Sequence, residues 1–275
     1  MIEEYAKTLC DLKRRFSQTY SGTSHIQEIL PLNSTKEFPF PQTDLDLLHA
    51  FAQKNPIYTN SYNQELNGVP CVVYEGDINE YWLNSIKHGS SCQPFYPTWI
   101  LSAYIMALNA KNLGFTELVD IGSGDGRIAY CGKILDMNAH GIEIDDVLVD
   151  LQKTVVSATG IDFDPCCADA LEFDYSSFGL TSPVFFIGGL PQMGGDMLAT
   201  SIIEKINSIP NIKKSTCVVF AGSHSKKHLA GNQKSGGWST LIEKHNLHEL
   251  KTISLPTVWT LDQDIDTPYL YTKFS

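Results

Sequence analysis

From Pro97 to Phe274, short apolar β-prone runs alternate with stretches of helical periodicity. No other feature limits the fold as much. Thr98 reads as an N-cap for a helix carrying Ile100, Leu101, Tyr104, Ile105 and Leu108, closed near Gly114. Strands are predicted over Glu117–Ile121, His140–Ile144, a short run before Asp169, Val184–Ile187 and Thr216–Ala221. Helices are predicted between them, from about Arg127, over Asp146–Ser157, from about Met197 and from about Trp238. Apolar strands separated by helices build a parallel sheet covered on both faces. Two closing β-prone stretches, Leu250–Thr260 and Tyr269–Phe274, have no helix between them. The expected fold is α/β, a doubly wound Rossmann-like seven-stranded sheet with an antiparallel closing hairpin at one edge.

The loop after the first strand of this alternation reads Asp120-Ile121-Gly122-Ser123-Gly124-Asp125-Gly126-Arg127. Such a loop lies in the ligand crevice of an open sheet. Its spacing decides between ligands. A dinucleotide loop, G-x-G-x-x-G, needs a third glycine five places after the first, and Arg127 stands there. The pattern is D-x-G-x-G-x-G instead, which disfavours a nicotinamide oxidoreductase. An acid at the strand end suits a ligand with a cationic amino-acid end rather than a pyrophosphate. Glu143 closes the second strand, 21 residues after Gly122, and interrupts an apolar run. Its two acceptor oxygens match a ribose diol. Asp169, in Ala168-Asp169-Ala170, could accept from an exocyclic amine, cap the helix at Leu171, or do both.

Over roughly residues 94–275 the chain resembles the class I, seven-β-strand S-adenosylmethionine-dependent methyltransferases. Asp120 to Gly126 matches that family's first motif. The resemblance implies that Asp120, Gly122, Gly124 and Gly126 hold the methionine part of the cofactor. It makes Glu143 the ribose acid and Asp169 the adenine contact. Gln93-Pro94-Phe95-Tyr96-Pro97-Thr98 is similar to a segment of the small archaeal protein-lysine methyltransferases. That likeness implies that Tyr96 and Thr98 close over the cofactor's methionine end, Thr98 touching the cofactor and Tyr96 taking a catalytic place. An aromatic channel can admit a lysine stem and stabilise its ammonium.

The loop after the fourth strand, Ile187-Gly188-Gly189-Leu190-Pro191-Gln192-Met193, bears on the acceptor. It has no acid or amide before a double proline, which argues against adenine methylation, and no paired glutamates for a guanidinium. Leu190 to Gln192 are expected on the acceptor side, with Gln192 a catalytic candidate. The favoured acceptor is a protein lysine, with a small metabolite as the second enzyme reading and a non-catalytic cofactor-binding partner subunit as the third. His224-Ser225-Lys226-Lys227-His228 reads as a solvated loop, and Trp259 as core.

Residues 1–95 are expected to form a mixed, partly helical extension to a core at 96–275, acting as a lid or substrate wall. Pro31, Pro39, Pro41, Pro56 and Pro70 interrupt it. Within it a capped helix is predicted near Thr43–Phe51, a strand over Val69–Tyr74 and a helix over Asn79–Ile86. Its aromatic and titratable candidates are Tyr74, Tyr81, Trp82 and His88. The 275 residues carry a formal net charge of −11, which weighs against a phosphate backbone as partner. Hydrophobic residues at 43% predict a packed core, and no run of 18 apolar residues predicts a membrane span. Seven cysteines with no C-x-x-C pattern read as reduced, mostly buried thiols of a cytoplasmic protein, with no metal site. The oligomeric state is not legible.

Overall fold

The structure, a computed structural model, describes residues 1–85, 94–191, 194–209, 212–223, 234–257 and 266–275. The C-terminal part is one seven-stranded sheet. Its strands are β4 (Glu117–Ile121), β5 (Asn138–Glu143), β6 (Pro165–Cys167), β7 (Pro183–Ile187), β8 (Cys217–Ala221), β9 (Leu247–Pro256) and β10 (Asp266–Phe274). Their order is β6-β5-β4-β7-β8-β10-β9. The pairs among β4 to β8 are parallel, while β10 runs antiparallel to both β8 and β9. The doubly wound sheet with a closing hairpin is therefore as expected. The hairpin is not simply hung on the edge, because its second strand inserts between β8 and β9.

The alternation of side chains along each strand divides the core in two. Val119, Ile121, Phe185, Ile187, Val218 and Phe220 face one side. There they meet α7 (Gly195–Ser208) and α8 (Ser239–Lys244) through Ile202, Ile203, Ile206 and Leu241. Their immediate neighbours Leu118, Val184, Phe186, Cys217 and Val219 face the other side. That second layer holds α4 (Ile100–Asn112), α5 (Arg127–Ile134) and α6 (Asp146–Thr159).

Helix α4 is apolar nearly all round. A soluble helix of that kind must be covered on both sides. The sheet covers one side of α4, and the N-terminal segment covers the other. This segment contributes α1 (Ile2–Thr19), α2 (Gln42–Lys54) and α3 (Asn79–Ser85). It also contributes a three-stranded antiparallel sheet, β1 (Ile26–Pro31), β2 (Tyr58–Leu66) and β3 (Val69–Gly76), with β3 in the middle. One apolar cluster runs without a break from Leu9, Leu12 and Phe16 of α1, through Tyr104 and Ile105 of α4, to Ile253 and Tyr271 of the large sheet.

Two local expectations change. Thr98 does not cap α4: Trp99 occupies the N-cap position without a side-chain bond. The Ile100 amide instead donates to Glu28 Oε1 on β1, 2.8 Å away. Pro41, not a Thr43 side chain, precedes α2. Asp145 does cap α6, accepting from the Val147 amide at 2.9 Å.

Candidate functional site

A cavity of about 680 Å³ opens at the C-terminal ends of β4, β5, β6 and β7. This is where ligands sit in doubly wound sheets. Gly122 to Asp125 of the glycine loop form its floor, while Gly126 is outside the lining and packs against Phe163. Gly122, Gly124 and Gly126 all have positive φ, at 69°, 57° and 80°, a region costly for other residues. Two of these glycines also allow close packing. A Cβ on Gly124 would lie 2.6 Å from the Phe95 ring, and one on Gly126 would strike Phe163. Gly122 differs: a Cβ there would meet nothing within 4 Å. Its bare side is open to the cavity.

Three acids close three adjacent parallel strands around this space. Asp120 precedes the loop on β4, Glu143 ends β5, and Asp169 follows β6; all three line the cavity. Asp120 is buried, and its Oδ2 has no hydrogen-bond partner among the described residues. Burial holds its carboxyl well above the usual range, and the charges of Glu143 and Asp125 push it further the same way. Glu143 Oε2 accepts from the Gly124 amide at 2.8 Å. Its Oε1 accepts from Ile144 and Asp145 at 2.9 and 3.0 Å. Burial raises its pKa against these three amides. A carboxylate offers about four acceptor sites, so roughly one is left for a ligand hydroxyl. Glu143 thus braces the glycine loop as well as facing the cavity. Asp169 is exposed and accepts from the Leu171 amide at 2.8 Å, but it closes a turn there and not the expected helix.

Tyr96 and Thr98 both line the cavity from the Pro94–Thr98 segment, Tyr96 at its mouth with 46% of its surface exposed. Gln192, with Met193, lies outside the described residues, as do Gln93, His88, Trp259 and the stretch 224–228. Leu190 lines the cavity. Tyr74 does not: it is buried in the N-terminal sheet, bonded to His49 Nδ1 at 2.8 Å. Tyr81 stands edge-on to Phe95, 6.3 Å between centroids. The Trp82 indole nitrogen is buried with no partner among the described residues.

Several residues at or beside the site were not legible. Tyr269 of β10 enters the cavity wall and reaches Thr98 Oγ1 at 3.5 Å. Ile144 and Leu171, both part-exposed, flank Glu143 and Asp169 at the rim. The largest omission reaches from the cavity border, where Asp125 and Arg127 stand, to the back of the glycine loop. Arg127 is buried and donates from Nε and Nη2 to Asp125, at 2.9 and 2.5 Å. Its Nη1 donates to Glu28 Oε2 at 2.9 Å and to the Thr98 carbonyl. Nη2 also donates to the Tyr58 hydroxyl at 3.2 Å. Asn55 donates to Asp125 Oδ2 at 2.9 Å. Burial pushes the Glu28 carboxyl up to about 7, against the pull of Arg127.

The set of acceptors suits a ligand with a cationic end and hydroxyls: a buried, unpartnered carboxyl oxygen beside an open glycine backbone, then two further acids. Among the described residues no group of three His, Cys, Asp or Glu is placed to hold a metal ion. No described helix is long and apolar enough to cross a membrane. Cys10, Cys71, Cys131 and Cys217 are buried and unpaired, Cys166 half-buried and Cys167 exposed.

No family model matches the sequence, and no curated protein does. Solved structures do match. One is a variant of MtNAS in complex with S-adenosylmethionine, at 14% identity over 64% of this chain and 64% of that one, TM-score 0.43. Another is the tRNA (uracil-54, C5)-methyltransferase of Pyrococcus abyssi with S-adenosyl-L-homocysteine, at 11% identity over 78% and 44%, TM-score 0.46. A third is magnesium protoporphyrin IX methyltransferase of Synechocystis PCC 6803 with bound SAM, at 12% identity over 64% and 78%, TM-score 0.45. The chain spans less than two thirds of the first of these and less than half of the second.

Proposed function

We propose that this protein is an S-adenosylmethionine-dependent methyltransferase of class I. One observation carries the reading. Acids end three adjacent parallel strands around a single cavity, and the innermost, Asp120, keeps a buried oxygen without a partner beside the open face of Gly122. A buried polar atom without a partner is rare unless something supplies one. An α-ammonium supplies it.

In this reading Asp120 and the backbone of Gly122 to Gly126 hold the amino-acid end of the cofactor. Glu143 accepts a ribose hydroxyl, and Asp169 faces the adenine amine. Bound cofactor supplies an activated methyl group. The protein's task is to align the acceptor in line with it and exclude water. Tyr96 and Thr98 close the methionine end from one side, with Tyr269 behind Thr98. Leu190 lines the acceptor side of the cavity. No base is required if the acceptor amine arrives neutral.

For the acceptor we infer a protein lysine amine. A half-exposed Tyr96 ring at the mouth of a largely apolar cavity supports this, since it can guide an alkyl stem and its ammonium inwards. The second reading, a small metabolite, rests on the further wall that Thr267, Tyr269 and Ala221 add.

Calorimetry with S-adenosylhomocysteine tests the cofactor. Binding by the wild type and its loss in Glu143→Ala are expected; no binding, or equal binding by that variant, sinks the proposal. Labelled cofactor incubated with cell extract separates the acceptors. Label in protein bands supports lysine transfer, label in the small-molecule fraction supports the metabolite, and no label with tight cofactor binding supports a non-catalytic subunit.

A further inference from the structure

Three donors, from the wall of the cavity, its floor and β2, meet at one side chain from outside the large sheet. Glu28 on β1 is fully buried and lines no part of the cavity. Its Oε1 accepts from the Ile100 amide at 2.8 Å. Its Oε2 accepts from Arg127 Nη1 at 2.9 Å and the Tyr58 hydroxyl at 3.1 Å. Arg127 begins α5 directly behind the glycine loop, and the same Nη1 holds the Thr98 carbonyl. The Pro94–Thr98 wall is thus anchored at its far end by Glu28 and Arg127 together. At its near end the Phe95 amide donates to Ser85 Oγ at 3.0 Å, and the Phe95 ring fills the space that a side chain at Gly124 would take.

We infer that Glu28 is a positioning residue for the cofactor: from the N-terminal sheet it fixes the Tyr96–Thr98 wall and the glycine loop relative to each other. This rests on the methyltransferase reading and adds to it. The donors around it fit the ionised carboxyl group. Both oxygens face donors, an amide on one side and a guanidinium and a hydroxyl on the other. An amide side chain must point its own NH2 at one of these, so either Ile100 or Arg127 loses its acceptor. Glu28→Gln changes no volume and leaves the cavity lining untouched. The segment Tyr96–Thr98 and the loop Gly122–Gly126 can then shift apart. Sites of this kind lose affinity when the supporting groups are loosened, even though each cavity residue is still present. Coupling is reciprocal, so bound cofactor must in turn steady β1.

The experiment compares wild type, Glu28→Gln and Ile206→Ala, the last being a buried core change in α7, on the face of the large sheet opposite the N-terminal segment. S-adenosylhomocysteine affinity is measured by calorimetry, Tm by thermal unfolding, and hydrogen exchange on peptides covering 26–31 and 98–101. Glu28→Gln is expected to weaken binding by about tenfold. In the wild type the ligand is expected to slow exchange in 26–31, and Glu28→Gln to lose that protection. Ile206→Ala is expected to lower Tm while keeping both affinity and protection. Unchanged affinity in Glu28→Gln overturns the inference, as does an equal loss in Ile206→Ala. If the wild type itself binds no S-adenosylhomocysteine, the methyltransferase reading fails instead. Exchange in the ligand-free proteins then decides the anchoring: faster exchange over 98–101 in Glu28→Gln upholds it, and an unchanged rate overturns it.

Discussion

The glycine loop has two sides, and they treat buried charge in opposite ways. Behind it, Glu28, Asp125, Arg127, Tyr58 and Asn55 bond one another, and Asp125 and Arg127 have donors and acceptors matched on every side. In front of it, Asp120 keeps an oxygen with no partner, next to open space at Gly122. The charged groups of both sides, Glu28, Asp125 and Arg127 behind and Asp120 in front, are all nine-tenths buried or more. Full satisfaction makes a rigid backing; a missing partner marks where a ligand belongs. The contrast separates residues that hold the site together from residues that bind.

Its most severe disruption removes the Arg127 guanidinium behind the loop. Arg127→Leu leaves Glu28 and Asp125 buried without a counter-charge, which should cost about 3–5 kcal/mol by denaturant unfolding. A cost under about 1 kcal/mol would mean the backing is not a coupled unit. In front of the loop the sign reverses. Asp120→Asn removes a carboxylate that burial disfavours, so the ligand-free protein should be unchanged or about 1 kcal/mol more stable. S-adenosylhomocysteine affinity should nevertheless fall about tenfold or more, as one charge-assisted bond of about 1.5–3 kcal/mol is lost. Unfolding and calorimetry on the same sample read both. A destabilised Asp120→Asn would place Asp120 with the structural residues.

Gly122→Ala is a gentler probe. Its positive φ should cost about 1 kcal/mol, with no clash in the ligand-free protein, while a methyl group now projects toward the cavity. Binding should drop far more than stability; equal losses would contradict the open face at Gly122. The smallest effect is in pH dependence. Asp120, Glu143 and Glu28 all have raised pKa values, so between the unfolded and folded values the native state carries the extra protons. Stability of the ligand-free protein must then fall as pH rises, for Glu28 between about 4.5 and about 7. Glu28→Gln should flatten part of that slope in Tm against pH. Ligand binding at Asp120 should release a proton, seen as a buffer-dependent heat. A buffer-independent heat would show Asp120 already ionised.

The large sheet was readable because its signals are local. Val184–Ile187 is a short apolar run bounded by a proline and glycines, and the structure's β7 differs from it by one residue. Asp120 and Glu143 were readable because the crevice lies at strand ends and the spacing recurs. The N-terminal segment was harder for physical reasons. Helix α1 has no side-chain cap and no closing glycine, although Leu9, Leu12 and Phe16 carry the buried stripe. Strand β1 is buried along its whole length, including Gln27 and Glu28, while β2 is exposed along most of its own; neither shows the alternation that announces a strand. A signal was present at Asn67-Gly68, whose positive φ values of 52° and 86° make the turn between β2 and β3. Glu28 gave no sign at all. Its meaning depends on Ile100 and Arg127, 72 and 99 residues further on.

That separation has a consequence for how the molecule is made. On a growing chain, strand β1 leaves the ribosome roughly 100 residues before its cation exists, several seconds at about 5–20 residues per second. Until Arg127 follows, the carboxyl of Glu28 has no guanidinium to meet and is better left in water. The N-terminal sheet can form its ladder early but cannot bury that edge. Its docking therefore waits for helices α4 and α5, which makes closure of the site one of the later steps of folding.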